Sequence, residues 1–184
     1  MTYHRVMGCV VSLLLLGAGG GSSRLGEPVE LKLGPNAVDL DGDGTQDLIV
    51  KARRENFNAH SSTHYAFYRN APSGAWEIVP IELSANDALQ LDVSTTEGAD
   101  CILRDARLHR AKDGRIELVV ATREFGESYA DSKPVTLAWF SLVRNDEELP
   151  GRPPVYFAKV GERTTAKPYC DVEKAFAKEL AAGR

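Results

Sequence analysis

Asp39-Leu40-Asp41-Gly42-Asp43-Gly44-Thr45-Gln46-Asp47 sets carboxylates at positions 39, 41, 43 and 47, with Thr45 between the last two. Alternate side chains of a tight loop converge on one centre, and Gly42 and Gly44 supply the positive φ angles such a loop needs. Four carboxylates packed so closely repel one another unless a cation sits among them. Hard oxygen donors on a flexible loop suit calcium better than zinc or magnesium. Asp39, Asp41 and Asp43 would bind through their side chains, Thr45 through its carbonyl, and Asp47 would close the site. An EF-hand loop wants a bidentate glutamate at its twelfth position; here Val50 stands there. Leu48-Ile49-Val50 then reads as a strand, not a helix. The plainer alternative is an acidic, solvated hairpin turn that holds no metal.

Two further stretches mix arginine, carboxylate, amide and aromatic groups. One carries Arg53, Arg54, Asn56 and His60; the other carries Arg123, Tyr129 and Asp131. Such a mixture can cradle a small anionic ligand, with arginine pairing a carboxylate. It can equally be a salt-bridged pair of loops that tucks two sheets together. His60 and His64 are four apart, but on a loop running into a strand that spacing defines no helix face. His64 reads as a half-buried strand residue. There is no Gly-x-Ser-x-Gly elbow, no Ser-x-x-Lys, and no His-x-His or His-Glu-x-x-His pattern. No catalytic residue is assigned, and an enzyme is not expected.

These loops need a scaffold and a compartment. Residues 1–23 read as a secretory signal: His4 and Arg5, an apolar centre over Val10, Val11 and Leu13 to Leu16, then small residues at Ala18-Gly19-Gly20. The apolar run is too short for a membrane span, although a retained N-terminal anchor helix is the alternative. Cys9 lies too early to be a lipidated cysteine. After cleavage the chain holds 21 basic (22 − 1) and 26 acidic groups, a net −5. That balance argues against nucleic acid or an anionic membrane as partner. Cys101 and Cys170 remain, and an even pair in an exported chain points to one disulfide.

The rest of the mature chain, 24–184, fits one domain. Residues 29–33 alternate as a half-buried strand, and Gly34-Pro35-Asn36 reads as a turn. Strands follow over 48–54, 63–69 and 76–81, with Tyr65 and Phe67 on one face and Ala66 and Tyr68 on the other. Residues 89–93 add another. A second unit repeats the plan: Asp113-Gly114 overlays Asp43-Gly44, Arg123 overlays Arg53, and Ala138-Trp139-Phe140 overlays Ala66-Phe67-Tyr68. His109 and Ala111 stand where Asp39 and Asp41 would be, so one metal is expected, not two. Residues 155–160 would close the second unit. Asp171 caps a short helix over 171–182, with Val172, Ala175, Phe176 and Leu180 as its apolar stripe and Gly183 as its stop. The expected fold is mainly β: two pseudo-repeated four-stranded antiparallel meanders, over about 29–83 and 99–160, packed together with a short C-terminal helix. The units pack face to face or recruit a second copy of the chain; a homodimer stays open.

The aspartate loop resembles the strand–loop–strand calcium motif of FG-GAP and VCBS repeats. A wider resemblance, covering nearly the whole mature chain, is to the CarG-type carbapenem self-resistance proteins. It is carried by residues 39–44 with 54–61, by 98–105, by Ser128-Tyr129-Ala130-Asp131, and by 169–176. What it implies is a periplasmic, non-enzymatic protein that protects its host against carbapenem-type β-lactams without hydrolysing the drug. The partner would be the β-lactam itself or a cell-wall-synthesis protein. The competing reading is a calcium-stabilised FG-GAP-like β domain for adhesion or carbohydrate binding. A third is a hydrolase built on the arginine- and aspartate-rich loops.

Overall fold

The computed structural model describes residues 26–83 and 89–180. The signal sequence expected at 1–23 and the helix stop at Gly183 lie outside the described residues. Eleven strands form among the described residues: β1 (Glu27–Pro28), β2 (Gly34–Val38), β3 (Asp47–Arg54), β4 (Ser62–Asn70), β5 (Trp76–Ile78), β6 (Val93–Ser94), β7 (Thr96–Glu97), β8 (Ile102–Arg110), β9 (Ile116–Arg123), β10 (Lys133–Arg144) and β11 (Val155–Tyr169). One sheet runs β2-β3-β4-β5 with β6 added along β4; the other runs β1-β8-β9-β10-β11 with β7 along β8. Every ladder is antiparallel. Each sheet therefore contains a meander of four consecutive strands, as the hydrophobic alternation suggests. The chain passes from one sheet to the other through the short β6 and β7.

Period-2 alternation decides which side chains enter the core. Ile49, Tyr65 and Phe67 of the first sheet meet Leu108, Leu118, Phe140 and Phe157 of the second. The rings of Phe67 and Phe157 meet edge-on across the two sheets at 5.0 Å. Such a pair adds about 1 kcal/mol to the burial of both rings. The second sheet is buried on its other face too. There Val119, Ala121, Val135 and Leu137 pack under α1 (Val172–Ala175) and the π-helical turn Phe176–Leu180 that continues it. β9 thus has a core on both sides, which is why it reads as an almost unbroken apolar run. Asp171 caps α1, its carboxylate accepting from the Glu173 amide at 2.8 Å. Cys101, just before β8, is bonded to Cys170, just before α1, with 5.7 Å between their Cα atoms.

Four expectations are corrected. The residue-by-residue overlay of the two units fails in phase: Ile49 faces the core between the sheets, whereas Val119, its supposed equivalent, faces the helix. A one-residue slip sends every side chain of a strand to the opposite face. The units match as a succession of strands, not position by position. The strand expected at 29–33 is replaced by β1 before it and β2 after it. Gly34 at φ +99° bends the chain, and the Asn36 side chain accepts from the Lys32 amide and donates to the Lys32 carbonyl, so 34–38 pairs with β3 instead of turning. Pro35 is tolerated because β2 is an edge strand. The expected strand 89–93 shrinks to β6 and a single bridge between Ile81 and Gln90. The strand expected at 155–160 runs on to Tyr169, because an irregularity at Trp139/Phe140 lets β11 continue along β10 from one core to the other.

Candidate functional site

The aspartate loop joins β2 to β3. Asp39 accepts from the Gly42 amide at 2.8 Å and the Gly44 amide at 2.9 Å. Asp41 accepts from the Asp43 amide at 3.3 Å and pairs with Arg144. Asp43 accepts from the Thr45 amide at 2.7 Å, and that bond first of all holds its pKa below the usual carboxylate range. One ligand oxygen from each of Asp39, Asp41 and Asp43 lies within 4.8 Å of the others. This donor set fits a hard cation. The loop is braced by the β8–β9 turn of the other sheet. Ile116 donates to the Leu40 carbonyl at 2.8 Å, and Arg110 donates to the carbonyls of Asp39 and Gly114. Gly42, at φ +78°, has no room for a side chain: a Cβ would sit 2.8 Å from the Asp113 carbonyl oxygen.

Asp47 does not join the cluster. It is 5% exposed, and its two oxygens accept from the backbone amides of Leu40 (3.0 Å) and Asn70 (2.9 Å). Burial pushes its pKa up. It clasps the loop to β4 rather than closing a metal site. Thr45 contributes its amide to Asp43, as above.

The other two stretches, the β3–β4 and β9–β10 loops, do meet. The His60 and Tyr129 rings lie 4.7 Å apart, and Phe125 packs edge-on against Tyr129 at 5.0 Å. Tyr129 covers Gly98 so closely that a Cβ there would lie 2.3 Å from its ring. Most of the charge is spent inside the loops. Arg53 pairs with Glu55 (3.3 Å) and Glu97 (3.2 Å). Asn56 donates to the His60 carbonyl at 2.7 Å. Asp131 accepts from the Glu127 amide and the Ser128 hydroxyl, bonds that lower its pKa.

Arg123 is the clearest departure from expectation. It is 3% exposed and donates to the carbonyls of Cys170 (2.6 Å), Glu124 (2.7 Å), Phe125 (3.3 Å) and Tyr129. It ties the β9–β10 loop to the start of the helix and is not a surface contact. What faces solvent is Arg54, His60, part of Tyr129, and Phe57, which is 96% exposed at φ +54°. The loop holds Phe57 there because Glu55 accepts from both the Phe57 amide and the Ser61 hydroxyl. Two residues missed from sequence complete these networks, Arg144 and Glu97. Both act across long sequence separations, so no local pattern marks them.

A helix-backed β sandwich with a clasped acidic loop and one disulfide is the class of protein these features define. The family model described as "Carbapenem resistance protein CarG-like" matches residues 31–178, and the chain belongs to that family. Among solved structures, "Crystal structure of CarG" matches with 25% identity and a TM-score of 0.71, covering 82% of this chain and 94% of that one. No curated protein sequence matches the chain at a significant level. No helix among the described residues is long and apolar enough to cross a membrane.

Proposed function

We propose that the protein is exported to the periplasm and contributes there to tolerance of carbapenem-type β-lactams without hydrolysing the drug. The observation that carries this reading is the match to the CarG-like family over residues 31–178, with a shared fold across 94% of CarG. The Cys101–Cys170 disulfide supports an oxidising compartment. Protection without hydrolysis leaves two routes, sequestration of the drug or shielding of a wall-synthesis protein. The surface we assign to either is the loop pair presenting Arg54, Phe57, His60 and Tyr129. Deleting the gene should raise carbapenem susceptibility, and a copy carrying Arg54→Ala should restore resistance only in part. Purified protein should leave carbapenem absorbance unchanged. An unaltered deletion strain would overturn the function, and rapid loss of absorbance would overturn the mechanism. We also propose that Asp39, Asp41 and Asp43 take one structural calcium ion, in the manner of FG-GAP and VCBS loops; their shared geometry supports it.

A further inference from the structure

Ser62, His64 and Asp92 form a relay on the outer face of the first sheet, beside the surface that presents Arg54. Ser62 and His64 are two apart on β4, so both side chains stand on the outer face of the first sheet. Ser62 Oγ lies 3.0 Å from His64 Nε2, and Asp92 Oδ2 lies 2.6 Å from His64 Nδ1. A carboxylate only accepts, so Nδ1 carries the proton and Nε2 offers its lone pair to the Ser62 hydroxyl. Nucleophile, base and orienting carboxylate stand in the order that serine hydrolases use on unrelated folds. Asp92 arrives from 28 residues away, carried in by β6, whose Ser94 pairs with His64. The side chains of His64 and Asp92 keep 35% and 45% of their exposure, so the relay is open to solvent. Arg54 stands directly across the ladder from Ser62, on the same face. No described residue neutralises it. Ala52, opposite His64, and Ala66, next along that face, are small and leave room for a compact acyl group.

We infer that Ser62 is an acyl-accepting nucleophile for small activated esters, with His64 as its base, Asp92 as the residue that positions His64, and Arg54 facing the developing oxyanion. Ser62 Oγ attacks the carbonyl carbon while its proton passes to His64 Nε2. The bond to the leaving alcohol breaks, and the alcohol takes that proton. Water, deprotonated by His64, then attacks the acyl-serine, releases the acid and restores Ser62. This activity shares Arg54 with the drug-protection surface, but Ser62, His64 and Asp92 have no part in that reading.

The test uses the mature protein with two probes. A fluorophosphonate should leave one phosphonyl group on the peptide containing Ser62, found by mass spectrometry. p-Nitrophenyl acetate should be hydrolysed above the buffer rate. Ser62→Ala keeps the imidazole, so it separates serine attack from attack by His64 itself; it should lower the rate about 100-fold and abolish labelling. Asp92→Asn should lower the rate and Asp92→Glu should restore part of it, with melting temperatures unchanged because these side chains stand on the solvent face. No label, a label on another residue, or a Ser62→Ala rate equal to wild type would overturn the proposal. Neither probe is a β-lactam, so failure here leaves the protection reading standing. Conversely, an unaltered deletion strain says nothing against Ser62.

Discussion

Arg123 donates to four backbone carbonyls, whereas Arg54, at the end of β3 in the other sheet, has its charge in solvent. Their substitutions should separate cleanly. Arg123→Met removes a buried guanidinium that donates to these carbonyls and should cost about 3 kcal/mol. Arg54→Ala should stay within about 0.5 kcal/mol. Urea titration of both variants measures the difference, and equal midpoints would contradict the assignment. Asp39, Asp41 and Asp43 make a second residue-scale case. Calcium at a hundredfold excess over its dissociation constant should add about 2.7 kcal/mol. A chelator should lower the melting temperature and calcium should restore it; no change, with no metal found by elemental analysis, would refute the site. The aspartates and their spacing were legible in the sequence, because the loop is local. Asp47 and Arg123 were misread, because burial and long-range partners, not spacing, set what those side chains do.

At the scale of elements, the C-terminal helix is short: four α-helical residues and a five-residue π-helical continuation. Such a helix is marginal alone. Its contacts with β9 and β10 through Val172, Ala175 and Phe176 hold it, and the disulfide anchors its start. The bond spans a sequence separation of 69, and a loop of that length is worth about 4 kcal/mol in the chain-entropy model. Exported protein, unfolded without reductant, should titrate no free thiol from Cys101 or Cys170. Reduction should lower the melting temperature. Two reactive thiols in periplasmic material would disprove the bridge in the cell. The helix and the cysteine pair were readable beforehand from a cap, an apolar stripe and an even count. The far half of β11 was not. Glu162–Tyr169 lacks clean alternation, because only Thr165 and Tyr169 along it are buried.

At the scale of the whole molecule, the two sheets enclose a few ionisable groups as well as the aromatic core. Asp105 is 5% exposed, accepts from the Ala106 amide at 2.8 Å and lies 3.2 Å from Arg107. Burial outweighs these partners and pushes its pKa up. Tyr65 is pushed up to about 12, chiefly by burial and then by Asp105. A carboxylate whose folded pKa is raised contributes stability that is fully present below its unfolded pKa. That stability is lost as pH rises through the folded value. Asp105→Asn removes the titration. The stability advantage of wild type over this variant should therefore be largest in acid and shrink as pH rises above 3.8. Paired denaturant titrations across the acid range measure it. An advantage that grows with pH would show that Arg107, not burial, governs Asp105.

Period-2 alternation, turn residues, the helix cap and the cysteine pair determined the class of fold, since each depends on neighbours within a few positions. The succession of strands, four to a meander in each sheet, followed from the same signals. Tertiary structure alone decided which face of each strand turns inward. The overlay of the two units was off in phase, and only packing against an opposing sheet, or against the helix, selects a face. It also decided which polar groups are consumed and which remain available. Asp47 and Arg123 were drawn into the interior, Asp47 by the amides of Leu40 and Asn70 and Arg123 by carbonyls of its own loop and of Cys170. Arg54 was left in solvent beside Ser62, and Asp92 was carried from a distant loop to His64. Such contacts depend on the distance between elements in space, which the order of residues in one chain does not contain.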